Sequence, residues 1–168
     1  MNQIKGIFFS LLFCLFYNGI LQADEKPHAV IIVGTHHYSA NRSMPAIAQE
    51  LKRVGFKTTL VMGEGDPEKK TENVLPGIEA LDDADVAIFY VRFLNLPQNE
   101  WKHIETYIHS GKPVIGMRTA NHAFKFPQDD PRSEWNGGFG RRVLGSPYIA
   151  HQSTKTNISI EKKHATHP

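Results

Sequence analysis

The chain has 168 residues, 40% of them hydrophobic, with 19 Lys and Arg against 17 Asp and Glu and a formal net charge of +2. A balance this close to neutral gives no bulk electrostatic basis for nucleic-acid binding, and no polybasic run marks a peripheral membrane surface. The single cysteine, Cys14, rules out a disulfide framework and a cysteine-ligated metal.

The first 23 residues read as a targeting segment. A short start with one positive charge, Lys5, precedes the apolar run 6–21, and Leu21-Gln22-Ala23 ends in a small residue before Asp24 and Glu25. That is the layout of a cleavable secretory signal. A membrane anchor is the weaker reading, because the run is shorter than the ~20 residues a span needs and is broken by Asn18 and Gly19. Leu11-Leu12-Phe13 before Cys14 lacks the small residues of a lipoprotein signal. The expectation is a secreted or periplasmic protein with no stable membrane insertion after cleavage. The remaining residues, 24–168, form one domain: 145 residues suffice for one core and not two. That mature part has no thiol to act as a nucleophile.

Residues 29–33 are a β-branched apolar run ending at Gly34, the pattern of a strand buried on both faces. Met44, Ile47, Ala48, Leu51 and Val54 follow at helical spacing over 43–54, and Gly55 is a stop. A second strand is predicted over 57–62, running into the turn Gly63-Glu64-Gly65-Asp66-Pro67. Residues 73–82 carry a helical pattern weakened at its start by Pro76 and Gly77. A third buried strand is predicted over 85–91. Pro97 opens a helix through Trp101, Ile104, Tyr107 and Ile108, closed by Gly111. Residues 113–117 are the fourth strand. From 123 to 145 Pro and Gly break every pattern, as in a functional loop or a disordered stretch. Two short strands are expected at 148–150 and 157–160. Strand and helix alternating four times predict an α/β fold, a doubly wound parallel sheet with helices on both faces.

In an open parallel sheet, ligands bind beyond the carboxyl ends of the strands. The residues following the predicted strands are Thr35, His36, His37 and Tyr38; Glu64 and Asp66; Arg92; and Arg118, Thr119, Asn121 and His122. Each has a plainer explanation. The histidines could be solvated loop residues, Arg92 could be held in an ion pair, Glu64 and Asp66 could be exposed turn residues, and His122 could cap or pack the next segment. Gly63-Glu64-Gly65-Asp66-Pro67 lacks the third glycine of a dinucleotide fingerprint, so no cofactor site is expected there. His36, His37, His122 and His151 could supply imidazoles to a metal-dependent hydrolase, but no His-x-x-x-His spacing supports one and no metal is expected.

Ile32-Val33-Gly34-Thr35-His36-His37-Tyr38, Arg92-Phe93-Leu94, Gly116-Met117-Arg118-Thr119-Ala120-Asn121-His122-Ala123-Phe124 and Glu134-Trp135-Asn136 resemble the trehalose-utilisation (ThuA-like) domain family. The resemblance runs from about Pro27 to the C-terminus. It implies the class I glutamine-amidotransferase-like fold, a flavodoxin-like doubly wound sheet with its site at the corner after the fourth strand. Amidotransferases of that fold carry Gly-x-Cys-x-Gly at the corner, where this chain reads Gly116-Met117-Arg118-Thr119-Ala120. Arginine cannot attack a carbonyl, so the resemblance implies fold and location without amidotransferase activity. The family fold is longer than this chain, and a C-terminally truncated version is expected.

The functional expectation is a domain that binds a small carbohydrate ligand. Tyr38, Arg92, Arg118, Thr119, Asn121 and Trp135 would be the binding residues, with a helix start after the corner adding backbone N–H groups. Turnover would be acid–base chemistry at His36, His37 and His122. The alternative is a catalytically inactive interaction module of the same fold. No nucleic-acid partner is expected, and the sequence leaves a homo-oligomer open.

Overall fold

The structure is a computed structural model that describes residues 25–65 and 73–150. The predicted signal segment, Asp66, His151 and the predicted strand at 157–160 lie outside those residues. Among the described residues no helix is long and apolar enough to cross a membrane.

The β-branched run forms β1 (His28–Gly34), buried along its whole length because it is flanked on both sides and covered on both faces. It pairs in parallel with β2 (Lys57–Met62) on one side and β3 (Val86–Val91) on the other, and β3 pairs in parallel with β4 (Val114–Gly116). The order is β2-β1-β3-β4, an all-parallel four-stranded sheet. Parallel neighbours need a crossover between them, and the intervening helices supply it. α1 (Ala40–Arg53) buries Ala40, Met44 and Ala48, four residues apart and so on one stripe, against Ile31, Val33, Ile88 and Tyr90. α2 (Gln98–His109) buries Trp101, Ile104 and Tyr107 in the core formed on the opposite face by Val30, Ile32, Phe89 and Val91. Pro97 precedes its first turn, and Gly111 at φ 72 ends it.

Three local expectations are corrected. The helical pattern at 73–82 yields only a 3-10 helix, Ile78–Asp83, because Gly77 at φ 85 and Pro76 break its first half. Residues 148–150 form no strand: Gly145 at φ 68 turns the chain, Ile149 is exposed, and the Tyr148 ring lies 4.3 Å from His122 instead. The stretch 123–145 is ordered without long elements. It holds a 3-10 turn (Pro131–Glu134), the one-turn helix α3 (Trp135–Gly138) and a wide π-type turn (Phe139–Val143). Its anchors are apolar rings, with Trp101 edge-on to Phe124 at 5.0 Å and to Phe126 at 5.2 Å, and Phe89 edge-on to Phe139 at 5.1 Å. Asp130 and Arg132 close the outer loop at 2.6 Å, and Arg132 also donates to the Leu96 carbonyl at 2.7 Å.

Candidate functional site

Four non-glycine residues have positive φ among the described residues: Tyr38 (58°), Ser39 (57°), Phe93 (52°) and Arg118 (52°). All four follow the carboxyl ends of β1, β3 or β4. Such backbone costs of order 1–3 kcal/mol per residue and persists where the surroundings enforce it, most often at binding and catalytic sites. The rim expected from topology is therefore also where the described backbone carries its strain.

The loop after β1 is fixed from within and from β3. The His37 backbone N–H donates to Thr35 Oγ1 at 3.2 Å, His37 Nδ1 lies 3.0 Å from the same hydroxyl, and the Tyr90 hydroxyl donates to the His37 carbonyl at 3.3 Å. The His36 and His37 rings are 4.6 Å apart, and His37 is 6.0 Å from Tyr38. This loop leaves Tyr38 exposed, with its ring under the Arg118 guanidinium at 4.0 Å. One face of the guanidinium is thus stacked, while its N–H edge stays in plane for a ligand.

After β4, Met117 N donates to the Phe89 carbonyl at 2.9 Å, the last sheet bond before the corner. Arg118 then turns the chain into a 3-10 helix, Arg118–His122. The expected longer helix with its N-terminal dipole is not formed, and five residues give no useful field at that end. Thr119 is buried and donates its hydroxyl proton to the Val91 carbonyl at 2.8 Å, which ties the corner to β3. His122 Nδ1 lies 2.8 Å from Asn121 Oδ1. This contact pairs the Asn121 amide with the His122 ring on the same short 3-10 helix. The Phe93 ring lies 4.9 Å from His122. Gly140 permits the close approach behind this corner, since a Cβ there would run into the Asn121 backbone carbonyl.

Tyr38, Arg118, Thr119, Asn121 and His122 line one cleft of about 290 Å³ together with Tyr148 and Ala150. The structure so brings together five of the nine residues expected at the site. His37 stands beside it through its ring contact with Tyr38, His36 stands against His37, and neither is among the described residues that line it. Arg92 does not line it either: its guanidinium lies 4.3 Å over the Phe93 ring, and the ion pair weighed for it is not formed among the described residues. Trp135 is elsewhere. It is buried 5.5 Å from Trp101, with Arg142 stacked over it at 4.4 Å, and forms core rather than a platform for a sugar. Glu64 is exposed and bridges Val74 by backbone pairing, as a turn residue does.

Sequence reasoning missed Tyr148 and Phe93. Tyr148 had a signal: an aromatic directly after Gly145-Ser146-Pro147 follows turn residues and need not start a strand. Phe93 had none: no local pattern marks its positive φ, and its contact is with the distant His122 ring. Among the described residues no three His, Cys, Asp or Glu side chains converge to hold a metal ion. No family model matches the chain, and neither a curated protein nor a solved structure matches it.

Proposed function

We propose that this chain is an exported ThuA-like domain with a class I glutamine-amidotransferase-like, flavodoxin-like fold, and that the cleft at the strand ends binds a sugar or sugar derivative. The observation that carries the reading is Arg118 itself. It occupies a left-handed corner directly after β4, with a planar donor group laid on an aromatic ring beside an amide and an imidazole. A hydrogen-bonding fork, Asn121 and the two tyrosines are the groups a small polyhydroxylated ligand needs: donors for its oxygens and flat faces for its C–H surfaces. The parallel order β2-β1-β3-β4 supports a doubly wound class, in which the crevice beyond the strand ends is the usual ligand site.

The Thr119 hydroxyl, one residue off the nucleophile's register, gives its proton to the Val91 carbonyl and has no base beside it among the described hydrogen bonds. Turnover, if the ligand is altered at all, falls to His122, the imidazole that lines the cleft among the described residues. The test is calorimetric titration of the exported protein with trehalose, glucose and their 3-keto derivatives. The expected result is saturable heat with at least one. No heat at millimolar ligand with any of them sinks the sugar reading and leaves the interaction module.

A further inference from the structure

We propose that the ligand of this cleft is a carboxylate-bearing monosaccharide, a uronate or an aldonate, held through its carboxylate by Arg118. The inference rests on the sugar-binding reading above and narrows it. The described residues lining the cleft include one permanent cation and no Asp or Glu. Among the described residues Arg118 has no carboxylate partner, and its one recorded side-chain contact is the face of Tyr38. The remaining polar groups do not redress the balance. Asn121 Oδ1 is already paired with His122 Nδ1, and Thr119 gives its proton to the Val91 carbonyl.

Among the described residues the cleft therefore carries a permanent positive charge with no carboxylate beside it. A neutral sugar laid against the exposed Arg118 guanidinium would displace its water and offer no counter-charge. A carboxylate supplies two acceptor oxygens in the plane of the fork and the missing counter-charge. Stacking on Tyr38 and the left-handed corner hold that plane before the ligand arrives, which lowers the ordering cost of binding. Phosphate fits less well: no lysine lines the cleft among the described residues, and the 3-10 helix Arg118–His122 is too short to add a helix-end field. At about 290 Å³ the cleft is at the small end of ligand pockets (~300–1,000 Å³), suiting one sugar ring.

The experiment is calorimetry at fixed ionic strength with glucuronate, gluconate, glucose, glucose 6-phosphate and acetate. It uses the exported protein and its Arg118→Lys and Arg118→Gly variants. Glucuronate or gluconate should bind roughly tenfold or more tighter than glucose, a gap that Arg118→Lys narrows because it keeps the charge and loses the fork. Arg118→Gly should abolish binding without lowering the melting temperature, since glycine accepts the left-handed corner more readily than arginine. Glucose binding as tightly as glucuronate overturns the carboxylate assignment and leaves the sugar reading standing. Tighter binding of glucose 6-phosphate overturns the carboxylate assignment in favour of phosphate. Acetate binding as tightly as glucuronate overturns the uronate assignment, as does silence with all five, while the sugar reading itself falls only if trehalose and the 3-keto sugars are silent too.

Discussion

Phe93 holds a left-handed backbone with a ring partly exposed between Arg92 and His122, so its side chain and its backbone make opposite contributions to stability. Left-handed φ/ψ costs an L-residue roughly 1–2 kcal/mol, and glycine escapes most of that. Phe93→Ala removes the ring and keeps the strain, whereas Phe93→Gly removes both. The glycine variant should therefore be more stable than the alanine variant by about 1 kcal/mol in urea denaturation, the reverse of the usual order at a right-handed site. An alanine variant as stable as the glycine one would show that Phe93 is not strained in solution. At this scale the sequence was legible where chemistry and position coincide. Gly116-x-Arg118 after an apolar run marked the corner, and the corner is there. Trp135 was misread because a tryptophan in a Gly-rich stretch looks like an exposed platform, while its large apolar area is better buried against Trp101.

α2 and β4 are joined at one atom pair. The Tyr107 hydroxyl, in the last turns of α2, donates to the Pro113 carbonyl at 2.8 Å, immediately before β4 begins. Burial pushes the Tyr107 phenol above its ordinary value, and the nearby Asp85 charge pushes the same way. The sign follows from linkage. A group whose ionisation is disfavoured by folding contributes stability that is fully present below its unfolded pKa, ~10, and lost as pH rises through the higher folded value. Tyr107→Phe should cost about 1 kcal/mol at neutral pH through the lost hydrogen bond. It should also flatten the alkaline limb of a melting-temperature profile taken from pH 8 to 12, relative to the unsubstituted protein. An unchanged alkaline limb would mean that other groups control unfolding there. The regular elements were legible because each is locally consistent: β-branched runs for β1 and β3, helical spacing for α1, and Pro97 with Gly111 around α2. The stretch 123–150 was not, because its turns are fixed by rings that meet across the fold, and no local pattern records which ring meets which.

The two sheet faces are finished to different degrees, and this asymmetry yields a test of the whole molecule. On one face Trp101, fully buried, meets Phe124, Phe126 and Trp135, so a single side chain joins α2 to the irregular segment that leads away from the corner. On the other face α1 covers β1 and its neighbours, while Ile115 of the edge strand β4 remains 48% exposed. Truncating a buried tryptophan to alanine typically costs ~3–5 kcal/mol, a large share of the ~5–15 kcal/mol that holds a domain together. Trp101→Ala should accordingly lower the urea midpoint severely and, in the fraction still folded, weaken ligand binding, because the Phe124 anchor lies two residues beyond His122. Ile115→Ala removes fewer buried contacts and should shift the midpoint by well under half as much. Matching midpoint shifts for the two variants would mean that the Ile115 face is covered in solution. In that case the Ile115 face of β4 belongs to an interface of the working assembly, and the cleft beside Arg118 is bounded by whatever covers it.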